Sequence, residues 1–254
     1  MSRPHFPPEI LDHLIDLLCD DSGTLTHCCL VSKSWVPRTR KYLFGHVEFR
    51  GDGYRRWNET FPDPVSSPAY HTHTLTVDGG PGGVEEGGWI RSFSLVERLI
   101  VESSWSSYTD HNIILTPFRE LAPSLKSLYV ISRPLPYPQI FDLVRFLPLL
   151  KDLILSNFKL LPTAIGVNES NEPPTPVSSI SPALTGTLSI FGNMTIPVRM
   201  LQDLPGGLHF RRFRLTQCWK DDFPSTAELV ASCSNTLQYL DVTSHGMFVP
   251  PPSC

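Results

Sequence analysis

A six-residue pattern that recurs along the chain is the feature that most constrains its fold. The pattern is apolar-x-x-apolar-x-apolar, and clear copies are VERLIV (96–101), LKSLYV (125–130), LKDLIL (150–155) and FRRFRL (210–215). Each copy alternates apolar and polar residues with a period of two, which predicts a short strand. Eight copies are present, with the central apolar residues Val47, Leu75, Leu99, Leu128, Leu153, Leu188, Phe213 and Leu240.

The spacing of these copies indicates a repeat architecture. Six of the seven intervals between centres are 24 to 29 residues long, and this period resembles that of leucine-rich repeats. The remaining interval, of 35 residues, contains a Pro- and Ser-rich stretch over residues 162–182, which we interpret as an inserted loop. Alternating strands and helices at this period predict a parallel sheet with helices on its outer side, curved into a solenoid. Helical spacing of apolar residues is found between copies at 116–122, 137–147, 196–204 and 224–233.

A different sequence precedes the repeats. The stretch FPPEILDHLIDLL (6–18) predicts a helix, since Pro8 suits a first helical position and the apolar residues follow at helical spacing. These apolar residues cover an arc of roughly 160°, which is wider than a small helical unit needs for its own core. Thr24 is predicted to cap a second helix and Pro37 to begin a third. Three short helices bury little surface, so the unit needs a partner or the following domain to be stable.

The same residues resemble the F-box motif, in particular that of F-box-like proteins of mushroom-forming fungi. The usual motif opens Leu-Pro-x-Glu-Ile and continues with Leu-Val-Ser-x-x-Trp; here FPPEI (6–10) and LVSKSW (30–35) stand at those places, with Phe6 replacing the usual Leu. The resemblance covers about residues 5–45. It implies docking onto a Skp-family adaptor of a cullin–RING ubiquitin ligase. The docking residues it indicates are Phe6, Pro7, Ile10, Leu11, Leu14, Leu30, Val31 and Trp35.

The predicted fold class is therefore α/β, with two units. Residues 1–45 form a short three-helix, F-box-like unit, which would also cover the start of the repeats. Residues 46–254 form an irregular leucine-rich-repeat solenoid of about eight parallel strands with outer helices. The Asn or Cys that the repeat family places after the strand occurs in two copies only, and no pattern of a terminal cap follows the eighth copy. The latter suggests a shortened member of a longer family.

Composition and motifs point away from several function classes. The net charge is −4, and no helix in the basic stretch 33–56 has a row of Arg, Asn or Gln suited to base edges, so nucleic-acid binding is not expected. Neither a signal peptide nor a membrane span is recognisable, which predicts a cytoplasmic or nuclear protein. No catalytic motif and no metal-ligand spacing is found, so we expect no enzyme, cofactor or metal site. His71 and His73 are expected to share a polar strand face.

The function predicted from these features is substrate recognition for a Skp–cullin–F-box ubiquitin ligase. The repeats would hold a protein substrate on the strand positions that face away from the helices, on the concave side of the solenoid. The alternative is a leucine-rich-repeat interaction module without any ligase role, in which the N-terminal helices act only as a cap. The predicted substrate-contacting residues are Arg98, Ile100, Tyr129, Ile131, Ile154, Phe191, Arg212, Arg214 and Tyr239.

Overall fold

The chain is an α/β protein built on one parallel sheet. A computed structural model describes residues 7–78, 87–103, 115–132, 137–158, 184–192, 195–204, 207–218 and 223–244. Within these ranges there are seven α-helices and eight strands, in an order that begins with three helices. The elements are α1 (Pro8–Leu17), α2 (Ser22–Val31), α3 (Val36–Leu43), β1 (His46–Arg50), α4 (Gly53–Thr60), β2 (Thr74–Asp78), β3 (Arg98–Ser103), β4 (Ser127–Ser132), α5 (Tyr137–Arg145), β5 (Asp152–Phe158), β6 (Thr187–Gly192), α6 (Thr195–Gln202), β7 (Arg212–Cys218), α7 (Phe223–Ser232) and β8 (Tyr239–Ser244).

The order of the strands in the sheet is the order of the strands in the chain, from β1 to β8, and every pair is parallel. All eight repeat centres pair in one continuous row, from Val47 opposite Leu75 to Phe213 opposite Leu240. A slip by one residue would move a strand's apolar side chains to the other face, so this row fixes the register. The predicted eight-stranded parallel arrangement is confirmed.

A recurring backbone turn joins successive repeats. In the first repeat, the carbonyl oxygen of Gly45, two residues before the central Val47, accepts hydrogen bonds from the N–H groups of His73 at 2.9 Å and Thr74 at 3.0 Å. The residue at the same position in most later repeats accepts two N–H groups of the following repeat in the same way. The long interval departs from this pattern. There the Lys151 oxygen accepts only from Gly186, at 3.1 Å, and the N–H of Thr187 donates to Asp152 Oδ1 at 2.7 Å. The inserted loop predicted for 162–182 lies outside the described residues.

The main core lies on the face of the sheet that carries the repeat centres. From β2 to β7 the central residues are fully buried. The apolar residues two positions later are buried as well: Val77, Val101, Val130, Leu155, Ile190 and Leu215. At the last strand this burial stops, because Leu240 is 46 % exposed and Val242 is also exposed. The apolar layer of the sheet therefore remains open beside β8 in the described part of the chain.

An aromatic cluster closes the other end of the core. Phe49 of β1 packs edge-to-face against Trp57, Trp89 and Phe93, with ring centroids 5.1 to 5.8 Å apart. Such geometry adds to the stability gained by burial alone. Phe44, directly after α3, also contacts Trp57 in this way, with centroids 5.9 Å apart. The segment 51–68, which the sequence suggests to be only a connection, thus contains α4 and supplies part of the core.

Several local predictions need correction. The short helical segment predicted at 116–122 is present, as a 3-10 helix over Thr116–Leu121, and needs no correction. The second helix is capped by Asp21 and not by Thr24, because Asp21 Oδ1 accepts the Thr24 N–H at 3.0 Å and its other oxygen accepts the Thr24 hydroxyl at 2.6 Å. His71 ends a 3-10 helix that begins at Pro68, and His73 precedes β2, so the two histidines do not share a strand face.

Candidate protein-binding surfaces

Helix α1 has two apolar stripes, and only one of them is used inside the molecule. Leu11, Ile15 and Leu18 form the inward stripe, in which Ile15 is fully buried and the other two are half-buried. Ile10, Leu14 and Leu17 form the outward stripe, with 48 %, 49 % and 69 % of their surface exposed. Both stripes follow the i, i+4, i+7 spacing of one helix face. The wide apolar arc seen in the sequence is therefore divided between the protein's own core and solvent.

A polar clamp sets the orientation of α1 on α3. The Asp16 carboxylate accepts hydrogen bonds from Arg38 Nε at 2.7 Å and from the Tyr42 hydroxyl at 2.6 Å, and Arg38 Nη2 binds its second oxygen. The Arg38 guanidinium and the Tyr42 hydroxyl lower the pKa of Asp16 to about 2. A bidentate pair restricts geometry more than a single contact does. The clamp thus fixes α1 at the angle at which Ile10, Leu14 and Leu17 face outward.

The end of α2 carries two further exposed apolar side chains. Leu30 is 82 % exposed and Val31 is 67 % exposed, although both belong to the second block of the motif. The fully buried residue of α2 is Leu25, and the adjoining contact to α3 is polar, between Cys29 Sγ and Thr39 Oγ1 at 2.8 Å. An exposed apolar pair at a helix end has no role within the described core.

The predicted docking residues fall into three groups. Pro7, Ile10, Leu14, Leu30 and Val31 are exposed, as docking requires. Two more, Leu11 and Trp35, are half-buried, and Trp35 lies at the N-cap of α3 with its carbonyl accepting from Thr39. Phe6 lies outside the described residues. Leu17 is not among the predicted docking residues, but its position three residues after Leu14 and seven after Ile10 places it on the same outward stripe.

The second candidate surface is the face of the sheet opposite the repeat centres, which we call the open face. All nine predicted substrate-contacting residues lie on it, and each is half-buried or exposed. Their register partners place Ile100, Tyr129 and Ile154 side by side on β3, β4 and β5. Ile131 and Phe191 occupy the next row, on β4 and β6. The five residues together form what we call the apolar strip.

Charged groups flank the apolar strip on both sides. On β3, the Arg98 guanidinium lies 5.5 Å from the ring centroid of Tyr129, which is within the range of a cation–π contact. On β7, Arg214 Nε is 3.3 Å from Asp241 Oδ2 of β8. Arg212, opposite Tyr239, belongs to none of the ion pairs formed among the described residues. It thus offers a guanidinium group to a ligand.

Comparison with known proteins gives no match. No family model matches the chain, and neither a curated protein nor a solved structure is significantly similar to it. Any conclusion about its function therefore depends on its own residues and on the motif resemblance.

The described ranges contain neither a metal site nor a membrane span. No group of three or more His, Cys, Asp and Glu side chains there could hold a metal ion. No helix in the same ranges is both long and apolar enough to cross a membrane.

Proposed function

We propose that this chain is a substrate-recognition adaptor of a Skp–cullin–F-box ubiquitin ligase and is not itself an enzyme. The helical unit of residues 1–45 would bind a Skp-family adaptor, and a leucine-rich-repeat-type solenoid over residues 46–254 would hold a protein substrate on its open face. Catalysis would come from a ubiquitin-conjugating enzyme brought close by tethering, which raises the effective concentration of the substrate. We expect this assembly in the cytoplasm or the nucleus.

The observation that supports the proposal most strongly is the outward apolar surface of α1 and α2. Apolar residues that are exposed singly are ordinary on protein surfaces. Here, however, five exposed apolar residues belong to one unit of three short helices. Four of them are positions that the F-box resemblance indicates for docking, namely Ile10, Leu14, Leu30 and Val31, and the fifth is Leu17. Covering Ile10 or Leu14, about half of which is still exposed, with a second protein would contribute about 1 kcal/mol each, and covering Leu30 would contribute about 2 kcal/mol.

The alternative function, an interaction module whose helices serve only as a cap, accounts for less. The core beside β1 is covered by the aromatic cluster of Phe49, Trp57, Trp89 and Phe93, with Phe44 at the margin. A cap would use the inward side of the helical unit and would have no use for Leu30. The alternative also predicts that exposed apolar positions can be changed to polar residues without loss of any function.

The experiment compares two variants that introduce the same charge at neighbouring positions of α1. Full-length chain is co-expressed with a Skp-family adaptor and their affinity is measured after purification. Leu14→Asp places a carboxylate in the proposed interface, and we expect its affinity to fall at least about 30-fold, the equivalent of about 2 kcal/mol. The control is His13→Asp, at an exposed polar position, for which we expect less than about a threefold change.

Thermal unfolding of both variants checks that the chain remains folded. The ligase proposal would be refuted if the wild-type chain did not bind the adaptor. It would also be refuted if the two substitutions lowered the affinity equally. Point variants are preferable to removal of residues 1–45, because that deletion also removes Phe44, whose ring contacts Trp57 and Phe61. A folding defect in the deletion would then be ambiguous.

A further inference from the structure

The open face has an order of side chains that suggests what kind of substrate it binds. The apolar strip occupies the middle strands, β3 to β6, where Ile100, Tyr129, Ile131, Ile154 and Phe191 are half-buried on a surface without a covering element among the described residues. Ile100, Tyr129 and Ile154 are in register on adjacent strands about 4.8 Å apart and make a continuous apolar row, whereas Ser156 lies between Ile131 and Phe191 in the next row. This surface can bury apolar side chains of a ligand.

The dimensions of this surface suit a short extended segment. From Arg98 on β3 to Arg212 on β7 there are four strand intervals, which is about 19 Å. An extended chain spans about 3.3–3.6 Å per residue, so about six residues cross from one arginine to the other. The row that joins the two arginines directly contains Ser127, Asp152 and Thr187, whereas Ile100, Tyr129 and Ile154 lie two residues further along their strands, about 7 Å away. A segment that passes over these three apolar residues therefore runs beside that row and reaches β7 at Arg214, next to Arg212.

The charges at the two ends of the strip differ. On β1 to β3, the open face carries Glu48, Asp78 and Glu102 together with Arg50 and Arg98, so acidic groups outnumber basic ones there by one. On β7 and β8, Arg212 and Arg214 face a single carboxylate, Asp241, which is taken by Arg214. The β7 end therefore has an excess of positive charge. A guanidinium group binds carboxylates in a two-pronged geometry, which makes an acidic ligand residue the complementary partner.

A nucleic acid fits the same surface less well. It would place a phosphate near every strand, but Asp78, Glu102, Asp152 and Asp241 are distributed along the open face and would repel it. Asp152 is also held in place, since it accepts from the Ser127 hydroxyl at 3.0 Å and from the Thr187 N–H. Non-specific nucleic-acid binding depends on continuous positive charge, which this face lacks.

We infer that the open face binds an extended peptide segment of about six residues with an apolar middle and an acidic residue at the end that lies over β7, where Arg212 receives it. This inference deepens the proposed function, because it states the chemical class of the substrate segment, and it rests on the repeats being the substrate-binding part. It does not depend on the helical unit or on the ligase.

The test uses the full-length chain alone, without any adaptor. A random twelve-residue phage-display library is selected on the wild-type protein, and the enriched peptide is synthesised with a fluorescent label. We expect enrichment of a run of apolar residues followed or preceded by Asp or Glu. In fluorescence anisotropy, replacing that acidic residue by its amide should weaken binding about fivefold at low salt, and less at high salt, because the contact is solvent-exposed.

Two variants then locate the contact. Arg212→Glu should weaken binding of the acidic peptide and strengthen binding of a peptide with Lys at the same position. The control is Arg211→Glu, the same change at the exposed residue before the strand, which should leave both affinities within about twofold of the wild type. Absence of enrichment, enrichment of basic residues, equal effects of the two variants, or tighter binding of a ten-nucleotide oligo(U) than of the peptide would each overturn the inference. Because the adaptor is absent, none of these results bears on adaptor docking.

Discussion

Two leucines in the same row of the sheet provide a quantitative test of the fold. Leu188 is fully buried between Leu153 and Phe213, whereas Leu240 is 46 % exposed beside the open edge of β8. Substitution by Ala removes three carbon atoms, worth about 2.4 kcal/mol if they are completely buried. At Leu188 a cavity adds to this, so we expect a loss of about 3 to 5 kcal/mol in the free energy of unfolding. At Leu240 only about half of the side chain is buried, and water can fill the space that the substitution leaves. We therefore expect a loss of about 1 kcal/mol in the free energy of unfolding.

Urea unfolding followed by far-UV circular dichroism measures both losses. A shift of the urea midpoint with an unchanged slope of free energy against urea reports a change in stability. A changed slope would indicate that the repeats no longer unfold together, as the weak coupling between stacked repeats allows. Equal losses at the two positions would refute the description of β8 as an open edge. A loss below about 1 kcal/mol at Leu188 would refute the continuous register of the sheet itself.

Two further predictions concern single contacts. The pKa of Asp16 is about 2, below its ordinary value of 3.8. The clamp with Arg38 therefore stabilises the folded chain above about pH 4, and this stabilisation is lost as the pH falls toward 2. Between about pH 2 and 5, the thermal unfolding midpoint should change more in the wild type than in Asp16→Asn. A Cβ at Gly186 would come close to Asp152 Oδ1 and to the Lys151 carbonyl, so Gly186→Ala should cost about 1–3 kcal/mol in urea unfolding, whereas Gly88→Ala, with open space around it, should cost less than about 0.5 kcal/mol.

The periodic part of the fold was predictable from the sequence because it depends on local alternation. Every repeat centre, from Val47 to Leu240, lies in a strand and in one register row, and the strands from β1 to β7 bury that face. Strand number, parallel order and the positions on the open face follow from that single pattern. The predicted boundary near residue 45 and the identity of the helical unit stay predictions.

The parts that were not predictable depend on contacts between distant residues. The role of α4 is an example, because partly buried Trp57 packs against the core through its contacts with Phe49 and Phe93, and the segment itself is rich in Gly, Arg and turn residues. For α1, the sequence indicates how wide the apolar arc is, but the clamp between Asp16 and α3 decides which half faces solvent.

Hydrogen exchange of the full-length chain, with and without a saturating Skp-family adaptor, tests the central claim most directly. Amides of helices slow their exchange when a partner covers and stabilises the helix. The account predicts slower exchange in α1 (Pro8–Leu17) and α2 (Ser22–Val31) on addition of the adaptor, with unchanged exchange in β3 to β6. Exchange that is unchanged in both helices, or that slows only in the sheet, would contradict it.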